Sequence, residues 1–174
     1  MRRVRYSVAA SLDGFIAGPN GEFDWIPMDP TIDFGAFYST IDTVLMGRGT
    51  YEIVQMAKEQ GEAPPDAAPR SLVFSRTLKP EDHPEVTVVA DDAAGVVSRL
   101  KEEEGKDIWL MGGGILFRSL LDAGLVDTVE IGIVPILLGS GIPLVPPGET
   151  RARLEHVKSE TFPSGIMLVK YSVV

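Results

Sequence analysis

VLMGRGTYE, residues 44–52, carries the chain from a short apolar strand straight into a helix through two glycines. The turn Gly47-Arg48-Gly49-Thr50 combines backbone N–H groups with a guanidinium and a hydroxyl. In an open α/β sheet, ligands bind beyond the carboxyl ends of the strands, where helix N-termini present unpaired N–H groups. Glycine lets those N–H groups come close to a phosphate. This stretch therefore indicates an α/β fold with a site for a phosphorylated ligand.

A second turn of the same build follows the predicted strand 108–111. Met111-Gly112-Gly113-Gly114 leads into a predicted helix over residues 115–121. Glycine is common in any sharp strand-to-helix turn, so one such turn alone is weak evidence, whereas two in one small sheet favour a phosphate site. Neither turn fits G-x-G-x-x-G, because Ile115, Leu116 and Phe117 follow Gly114, and no G-K-[S/T] occurs. A conventional Rossmann domain and a P-loop NTPase are therefore excluded.

A third candidate element, Ser75-Arg76, stands just after the predicted strand 72–74. A guanidinium next to a hydroxyl can hold an additional phosphate, such as the adenosine 2′-phosphate of NADPH. An exposed arginine at the end of a strand explains the same pair equally well.

Strands and helices alternate through most of the chain, which predicts a parallel sheet covered by helices on both faces. The first helix is predicted to begin at Asp29-Pro30, as N-cap and first helical residue, with Phe34, Phe37, Tyr38 and Ile41 on one face. Further helices are predicted from about 51 to 60, after Asp91/Asp92 and over 115–121, and a proline-rich loop over 62–69. The last two strands, joined by Pro163-Ser164-Gly165, predict an antiparallel edge. The eight predicted strands are 4–10, 43–46, 72–74, 86–90, 108–111, 128–134, 154–161 and 166–173.

The composition narrows the function classes. The 174 residues, 44% hydrophobic and 24% charged, suit a single globular domain over 1–174. The lack of cysteine excludes disulfides and thiolate sites, and neither histidine has a partner at ligand spacing, so we expect no metal. The net charge of −9, with dispersed basic residues, argues against a nucleic-acid partner. Arg5 and Asp13 interrupt the N-terminal apolar stretch, and no stretch could span a membrane, so we expect a cytoplasmic protein.

Taken together, these pieces resemble two related families. The run V-x-M-G-R-x-T-[W/Y]-E at residues 44–52 resembles dihydrofolate reductase. Other segments resemble the reductase domain of the bifunctional riboflavin-biosynthesis deaminase-reductase, but its Asn/Asp-Pro-x-Leu-Thr-Val-Arg segment is missing, with only the Pro64-Pro65 loop present. The resemblance implies a three-layer α/β/α, dihydrofolate-reductase-like fold and NADPH as the cofactor, and it leaves the substrate open. The segments of the second resemblance are Ser11-Leu12-Asp13-Gly14, Gly21 to Trp25, Gly112–Gly114 through Asp127, and Pro135 with Leu138-Gly139-Ser140-Gly141.

The resemblance also implies roles for individual residues. Asp33 would pair with an aminopyrimidine edge through two hydrogen bonds, although an aspartate there also suits the first turn of any helix. Without the resemblance, Ala9, Ala10, Ile16 and Phe117 would be ordinary core residues. The implied substrate residues are Asp33, Asp13, Trp25, Ala10 and Phe37. The implied cofactor residues are Ala9, Ile16, Gly47, Arg48, Gly49, Thr50, Ser75, Arg76, Met111, Gly112, Gly113, Gly114, Ile115, Leu116 and Phe117.

The function that the resemblance implies is NADPH-dependent reduction of a pyrimidine or pterin-like small molecule. The model reaction is that of the 5-amino-6-(5-phosphoribosylamino)uracil reductase of riboflavin biosynthesis. A dihydrofolate or pteridine reductase is the first alternative, and a non-catalytic NADPH-binding module is the second. The resemblance also allows a homodimer, in which the apolar C-terminal strands and Ile136-Leu137-Leu138 would line the interface, although the same residues could be core.

Overall fold

The computed structural model describes residues 1–59, 61, 70–148 and 150–174. The predicted loop 62–69 and the predicted helix end at residue 60 lie outside these residues. Four α-helices, one short 3-10 helix and ten strands are present in the described part. The strands are β1 Val4–Ser11, β2 Phe15–Ala17, β3 Ile41–Gly47, β4 Arg70–Phe74, β5 Thr87–Val89, β6 Asp107–Gly112, β7 Thr128–Val134, β8 Ile142–Pro143, β9 Leu154–Thr161 and β10 Met167–Val173. The helices are α1 Phe34–Ser39, α2 Arg48–Glu59, α3 Ala93–Glu102, α4 Gly114–Asp122 and the 3-10 helix Pro80–Asp82.

Eight of the strands form one sheet in the order β5-β4-β3-β6-β1-β7-β10-β9. Neighbouring strands run parallel from β5 to β7, whereas β10 is antiparallel to both β7 and β9. The prediction of a mostly parallel eight-stranded sheet with a C-terminal antiparallel hairpin is confirmed. The short strands β2 and β8 form a separate antiparallel pair that the sequence did not reveal.

Alternating residues of the central strands pack against different helices, which creates three layers. On one face, Leu45 and Leu110 belong to a core that contains Val97 of α3 and Phe117 of α4. The opposite face forms a second core that includes Val44, Met46 and Val73 of the strands, Phe37 of α1 and Tyr51 of α2. The sheet is therefore covered on both sides, and the α/β/α architecture is confirmed.

The first helix begins four residues later than the sequence predicted. The Oδ1 atom of Asp33, and not a group of Asp29, caps α1 by accepting a hydrogen bond from the Ala36 N–H at 2.8 Å. The Asp29 carboxylate instead accepts bonds from the N–H groups of Thr31 at 2.9 Å and Ser164 at 3.0 Å. It thus ties the segment before α1 to the turn between β9 and β10. The predicted cap at Asp29-Pro30 is wrong because this long-range contact uses the capping group. Ile41, predicted on the helix face, is the first residue of β3.

Candidate active site

A cavity of about 1960 Å³ extends along the sheet from the two glycine turns to the C-terminal hairpin. Pockets for single small molecules usually measure about 300–1,000 Å³. The volume is therefore sufficient for a dinucleotide and a second, smaller molecule side by side. The first predicted turn, from Gly47 to Thr50, lines the cavity, and so do the residues from Met111 to Leu116.

The two glycine turns touch each other at the centre of this cavity. Gly113 has φ +95°, and a Cβ atom there would lie 3.4 Å from the backbone N of Gly47. A Cβ on Gly114 would lie 2.8 Å from the carbonyl oxygen of Pro143. The lack of side chains at these positions therefore lets the β3 and β6 turns and the β8 segment approach closely.

Two helices begin at these turns, and both open towards the cavity. α2 starts at Arg48, and α4 starts at Gly114 with the N-cap Gly113, which makes no side-chain capping bond. The first N–H groups of a helix have no partner within the helix, and the helix dipole makes this end favourable for negative charge. Since two such ends meet here, the arrangement suits a ligand with adjacent phosphates.

Cationic side chains stand at the rim of the same end. The Arg48 Nη1 donates to the Thr77 Oγ1 at 3.0 Å, and the Arg76 Nε lies 3.7 Å from the Asp91 Oδ1. The Arg76 side chain is 85% exposed, so this ion pair is weak and can be exchanged for another anion. The Ser75 Oγ accepts the N–H groups of Thr77 and Leu78, at 3.2 and 3.1 Å, which fixes the turn after β4. Ser75 and Arg76 both line the cavity, as do Ala9 and Ile16.

The structure does not bring four of the predicted site residues to the cavity. Ala10 is only 1% exposed and faces the core, because successive residues of β1 point to opposite sides of the sheet and Ala9 takes the cavity side. Phe117 stacks on Tyr6 in the core, with ring centroids 3.8 Å apart. Trp25 itself does not line the cavity, although its neighbours Phe23 and Ile26 do; its Nε1 donates to the carbonyl oxygen of Glu22 at 3.0 Å and stabilises this turn.

Asp13 is the fourth of these residues, and its contacts are structural. Its carboxylate accepts a bond from the Ser11 hydroxyl at 2.6 Å, and bonds from the N–H groups of Gly139 at 2.7 Å and Leu138 at 3.1 Å. These bonds, led by that of Ser11, hold the pKa of the Asp13 carboxyl below its usual value. Asp13 thereby joins the turn after β1 to the loop that precedes β8.

The other half of the cavity has an aromatic wall. The rings of Phe37 and Trp109 meet edge-to-face at 5.2 Å, and Tyr38 lies 5.8 Å from Trp109. The Trp109 Nε1 donates to the carbonyl oxygen of Ser7 at 2.9 Å, which fixes the indole against the sheet. Asp33 lines the cavity next to this wall. Sequence reasoning missed Trp109 and Tyr38 because both occur in apolar patterns that are typical of the core.

The floor of this half contains a buried ion pair that the sequence analysis also missed. Arg5 of β1 donates to both carboxylate oxygens of Glu130 of β7, at 2.8 Å each, and the Lys170 Nζ lies 3.0 Å from the Glu130 Oε1. Burial opposes ionisation of Glu130, but the bonds from Arg5 and Lys170 outweigh it, so its pKa is lowered and it stays charged. The Arg5 guanidinium also lies over the Phe37 ring, 4.8 Å from its centroid. The sequence feature that could have indicated this ion pair is a single charged residue within each of two apolar strands, Arg5 in β1 and Glu130 in β7.

None of the helices in the described parts of the chain has the length and apolar character needed to cross a bilayer. Within those same residues, histidine, aspartate and glutamate side chains nowhere gather as a set of three that could ligate a metal ion.

Comparison with known proteins gives the family of the chain. The model of the RibD C-terminal domain family matches residues 2–168, and the chain belongs to this family. The uncharacterized protein YyaP of Bacillus subtilis (strain 168) is 36% identical, over 98% of this chain and 94% of YyaP. The riboflavin biosynthesis protein RibD of Mycobacterium tuberculosis is 27% identical, over 82% of this chain but only 44% of RibD. A solved structure from Shewanella sp. PV-4, named for riboflavin biosynthesis, matches with a TM-score of 0.82 and 26% identity, over 100% of this chain and 99% of that one.

Proposed function

We propose that the protein is an NADPH-dependent reductase of a small pyrimidine or pterin-like heterocycle. The observation that carries the proposal is the meeting of two glycine turns and two helix N-termini beside Ser75 and Arg76. Membership of the RibD C-terminal domain family supports an oxidoreductase, since relatives in it are named for riboflavin biosynthesis. The model reaction remains that of 5-amino-6-(5-phosphoribosylamino)uracil reductase.

The residues of the glycine turns fit the cofactor. The N–H groups that follow Gly47 and Gly113 would hold the pyrophosphate, and the positive φ of Gly113 disfavours any residue with a side chain at this position. Arg76 and Ser75 would bind the 2′-phosphate that distinguishes NADPH from NADH. Ala9 presents a small side chain to the cavity, which leaves space for the flat nicotinamide.

The substrate would lie between the aromatic wall and the floor of the sheet. Bound NADPH would supply the hydride for reduction of a C=N or C=O carbon, and the nitrogen or oxygen bonded to that carbon would take a proton from water. Phe37 and Trp109 would stack on the ring and shield it from solvent. Asp33 would accept two hydrogen bonds from an aminopyrimidine edge. Oδ2, which makes no bond within the described residues, would accept one, and Oδ1 would accept the other with its second lone pair, beside the bond from the Ala36 N–H that caps α1.

The proposal is tested by the loss of nicotinamide absorbance, first with 5-amino-6-(5-phosphoribosylamino)uracil and then with 7,8-dihydrofolate. Asp33→Asn keeps a good N-cap and removes the charge, so we expect a stability close to wild type and a kcat/KM lowered about 10- to 100-fold. Asp33→Ala should lose kcat/KM and, in addition, about 1 kcal/mol of stability. If Asp33→Asn keeps full activity, Asp33 serves only the helix, and its assignment to the substrate is refuted.

Two alternatives are favoured by particular observations. A dihydrofolate or pteridine reductase is supported by Asp33 at the start of α1 and by the run at residues 44–52. A non-catalytic NADPH-binding module is supported by the capping bond of Asp33, which gives this carboxylate a structural use without any substrate. Quenching of Trp109 fluorescence by NADPH, without turnover of either heterocycle, would favour the module.

A homodimer stays a prediction. β9 lies at the edge of the sheet and, among the described strands, pairs only with β10. All its residues are exposed, including Leu154 and Val157. An exposed strand edge is a template for pairing with a second copy. Light scattering on the wild type and on Val157→Lys tests this: a dimer in the wild type that is lost in the variant places the interface at β9.

A further inference from the structure

Two polar side chains lie side by side on the floor of the substrate half. Ser7 of β1 and Glu130 of β7 are register partners on neighbouring parallel strands, and both line the cavity. The next residues on the same face of these strands, Ala9 and Gly132, also line the cavity but carry no polar side-chain atom. Ser7 and Glu130 therefore form a floor pair, a hydroxyl beside a carboxylate, next to an apolar part of the floor.

Both members of the floor pair are bonded to the residues that hold the aromatic wall. The carbonyl oxygen of Ser7 accepts a hydrogen bond from the Trp109 Nε1 at 2.9 Å. The carboxylate of Glu130 binds Arg5, and the Arg5 guanidinium lies 4.8 Å from the centroid of the Phe37 ring. A heterocycle that stacks on this wall would therefore bring one of its edges to the floor pair.

Each member of the floor pair can make a further hydrogen bond. In the described part of the chain, the Ser7 hydroxyl has no hydrogen-bond partner. The two oxygens of the Glu130 carboxylate differ. Oε1 has three donors within 3.0 Å, on Arg5, Thr128 and Lys170. Among the described residues, Oε2 has one donor, the Arg5 Nη2 at 2.8 Å, and a carboxylate oxygen can accept two bonds.

The geometry points to Ser7 and Glu130 as binding residues for an amide group in the substrate ring. The Glu130 Oε2 accepts the ring N–H, and the Ser7 hydroxyl donates to the adjacent C=O. This assignment rests on the proposed reductase function and adds two residues to its site. Uracil and pterin rings both contain such an amide, so the floor pair serves either ring. The joining of β1 to β7 explains the ion pair of Arg5 with Glu130, but it gives no use to the hydroxyl beside it.

The test compares probes that keep or lose the ring N–H. The probes are 5-amino-6-(5-phosphoribosylamino)uracil and 7,8-dihydrofolate, each with its analogue methylated on the amide nitrogen N3. Affinity is measured by calorimetry on the full protein saturated with NADP⁺. We expect methylation to weaken binding about 10-fold or more, because it removes a hydrogen bond to a charged group. Equal affinity of parent and analogue in both pairs, or binding of neither parent, overturns the assignment.

Two matched serine variants test the hydroxyl. Ser7→Ala should weaken binding of the parent probes about 2- to 10-fold, which is the effect of one neutral hydrogen bond. Ser159→Ala removes an exposed hydroxyl from β9, outside the cavity lining, and should change no affinity. Equal affinities of the two variants overturn the assignment of Ser7, and this comparison holds even if a substitution of Glu130 prevents folding.

Glu130→Gln separates a direct contact from a structural role. The variant should weaken binding of the parent probes about 5- to 10-fold, because a neutral acceptor replaces a charged one. It should leave the affinity of the methylated analogues unchanged, since these have no N–H to donate. A purely structural role of Glu130 would weaken parent and analogue alike, and that result contradicts the assignment.

Turnover with NADPH is measured separately, so that the two proposals can fail independently. If the probes bind with these differences but none is reduced, the proposed reductase function fails while the floor pair stands. If a probe is reduced and its kcat/KM is the same for wild type, Ser7→Ala and Glu130→Gln, the floor pair is overturned while the reductase function stands.

Discussion

Substituting Gly113 by alanine should weaken NADPH binding more than it weakens the fold. Gly113 has φ +95°, a backbone conformation that costs a residue with a Cβ roughly 1–2 kcal/mol or more. The new methyl would also lie in van der Waals contact with the first glycine turn, 3.4 Å from the N atom and 3.5 Å from the Cα of Gly47, so a backbone change that relieves the strain at Gly113 would disturb the N–H groups proposed to face the pyrophosphate. Losing one hydrogen bond to a charged phosphate costs about 1.5–3 kcal/mol, which corresponds to a Kd about 10- to 100-fold higher.

Gly124→Ala is the matched control for the backbone strain. Gly124 also has a positive φ, +67°, but a Cβ there would meet no atom within 4 Å, and the residue does not line the cavity. We expect this variant to lose a similar roughly 1–2 kcal/mol of unfolding free energy and to keep the NADPH affinity of the wild type. Urea unfolding measures the first quantity, and quenching of tryptophan fluorescence by NADPH measures the second.

The Kd values of the two variants for NADPH distinguish three explanations. A raised Kd for Gly113→Ala alone places the pyrophosphate against the two turns. Equal Kd values for Gly113→Ala, Gly124→Ala and the wild type would refute the assignment of the glycine turns to the cofactor. A raised Kd for both variants would show that general destabilisation, and not the local geometry, controls binding.

Three further predictions concern other contacts. Arg76→Ala should raise the Kd for NADPH about 10-fold or more and leave the Kd for NADH unchanged, as measured by fluorescence titration with both cofactors. Glu130→Gln leaves the buried Arg5 with its longer contact to the Asp107 carboxylate, at 3.5 Å, as its charged partner in the described residues, and should lower the unfolding free energy at pH 7 by at most about 3–5 kcal/mol. The pKa of Glu130 is lowered in the folded protein, so ionised Glu130 contributes fully to the unfolding free energy above the unfolded pKa of about 4.3. This contribution is lost as the pH falls towards the folded pKa. The urea midpoints of wild type and variant should therefore converge as the pH is decreased. Asp13→Ala should speed the amide exchange of Gly139 without changing the affinity for NADPH, and an altered affinity would contradict its purely structural role.

The sheet could be predicted from the sequence because its strands are short apolar runs separated by glycine turns and amphipathic helices. Each such strand can be identified from its own residues, and the alternation of strands with helices indicates that the strands run parallel. The start of α1 could not be predicted, because Asp29 is used by Ser164, a residue 135 positions away. β2 and β8 have only three and two residues, too few for any periodicity to appear.

The candidate site likewise has a part that follows from local sequence and a part that depends on contacts between distant residues. The cofactor half depends on backbone turns, and a turn is encoded by the residues that form it. The substrate half depends on which strands become neighbours: Arg5 meets Glu130 only because β1 lies beside β7. The alternation of side chains along β1 would also have separated Ala9, which lines the cavity, from Ala10, which lies in the core.

The order of the strands explains why the two halves of the cavity differ in chemistry. On one side of β1, the strands β3 and β6 each run directly into a helix, so backbone N–H groups and helix dipoles converge there. On the other side, β7 leads to β8 and to the antiparallel β10, and within the part of the chain that the structure describes no helix begins at its end. That half must be built from side chains, and its charge can change by substitution without any change in the sheet. If the proposed function holds, one fold can keep a single phosphorylated cofactor while the side chains around Trp109 and Glu130 decide which heterocycle it accepts.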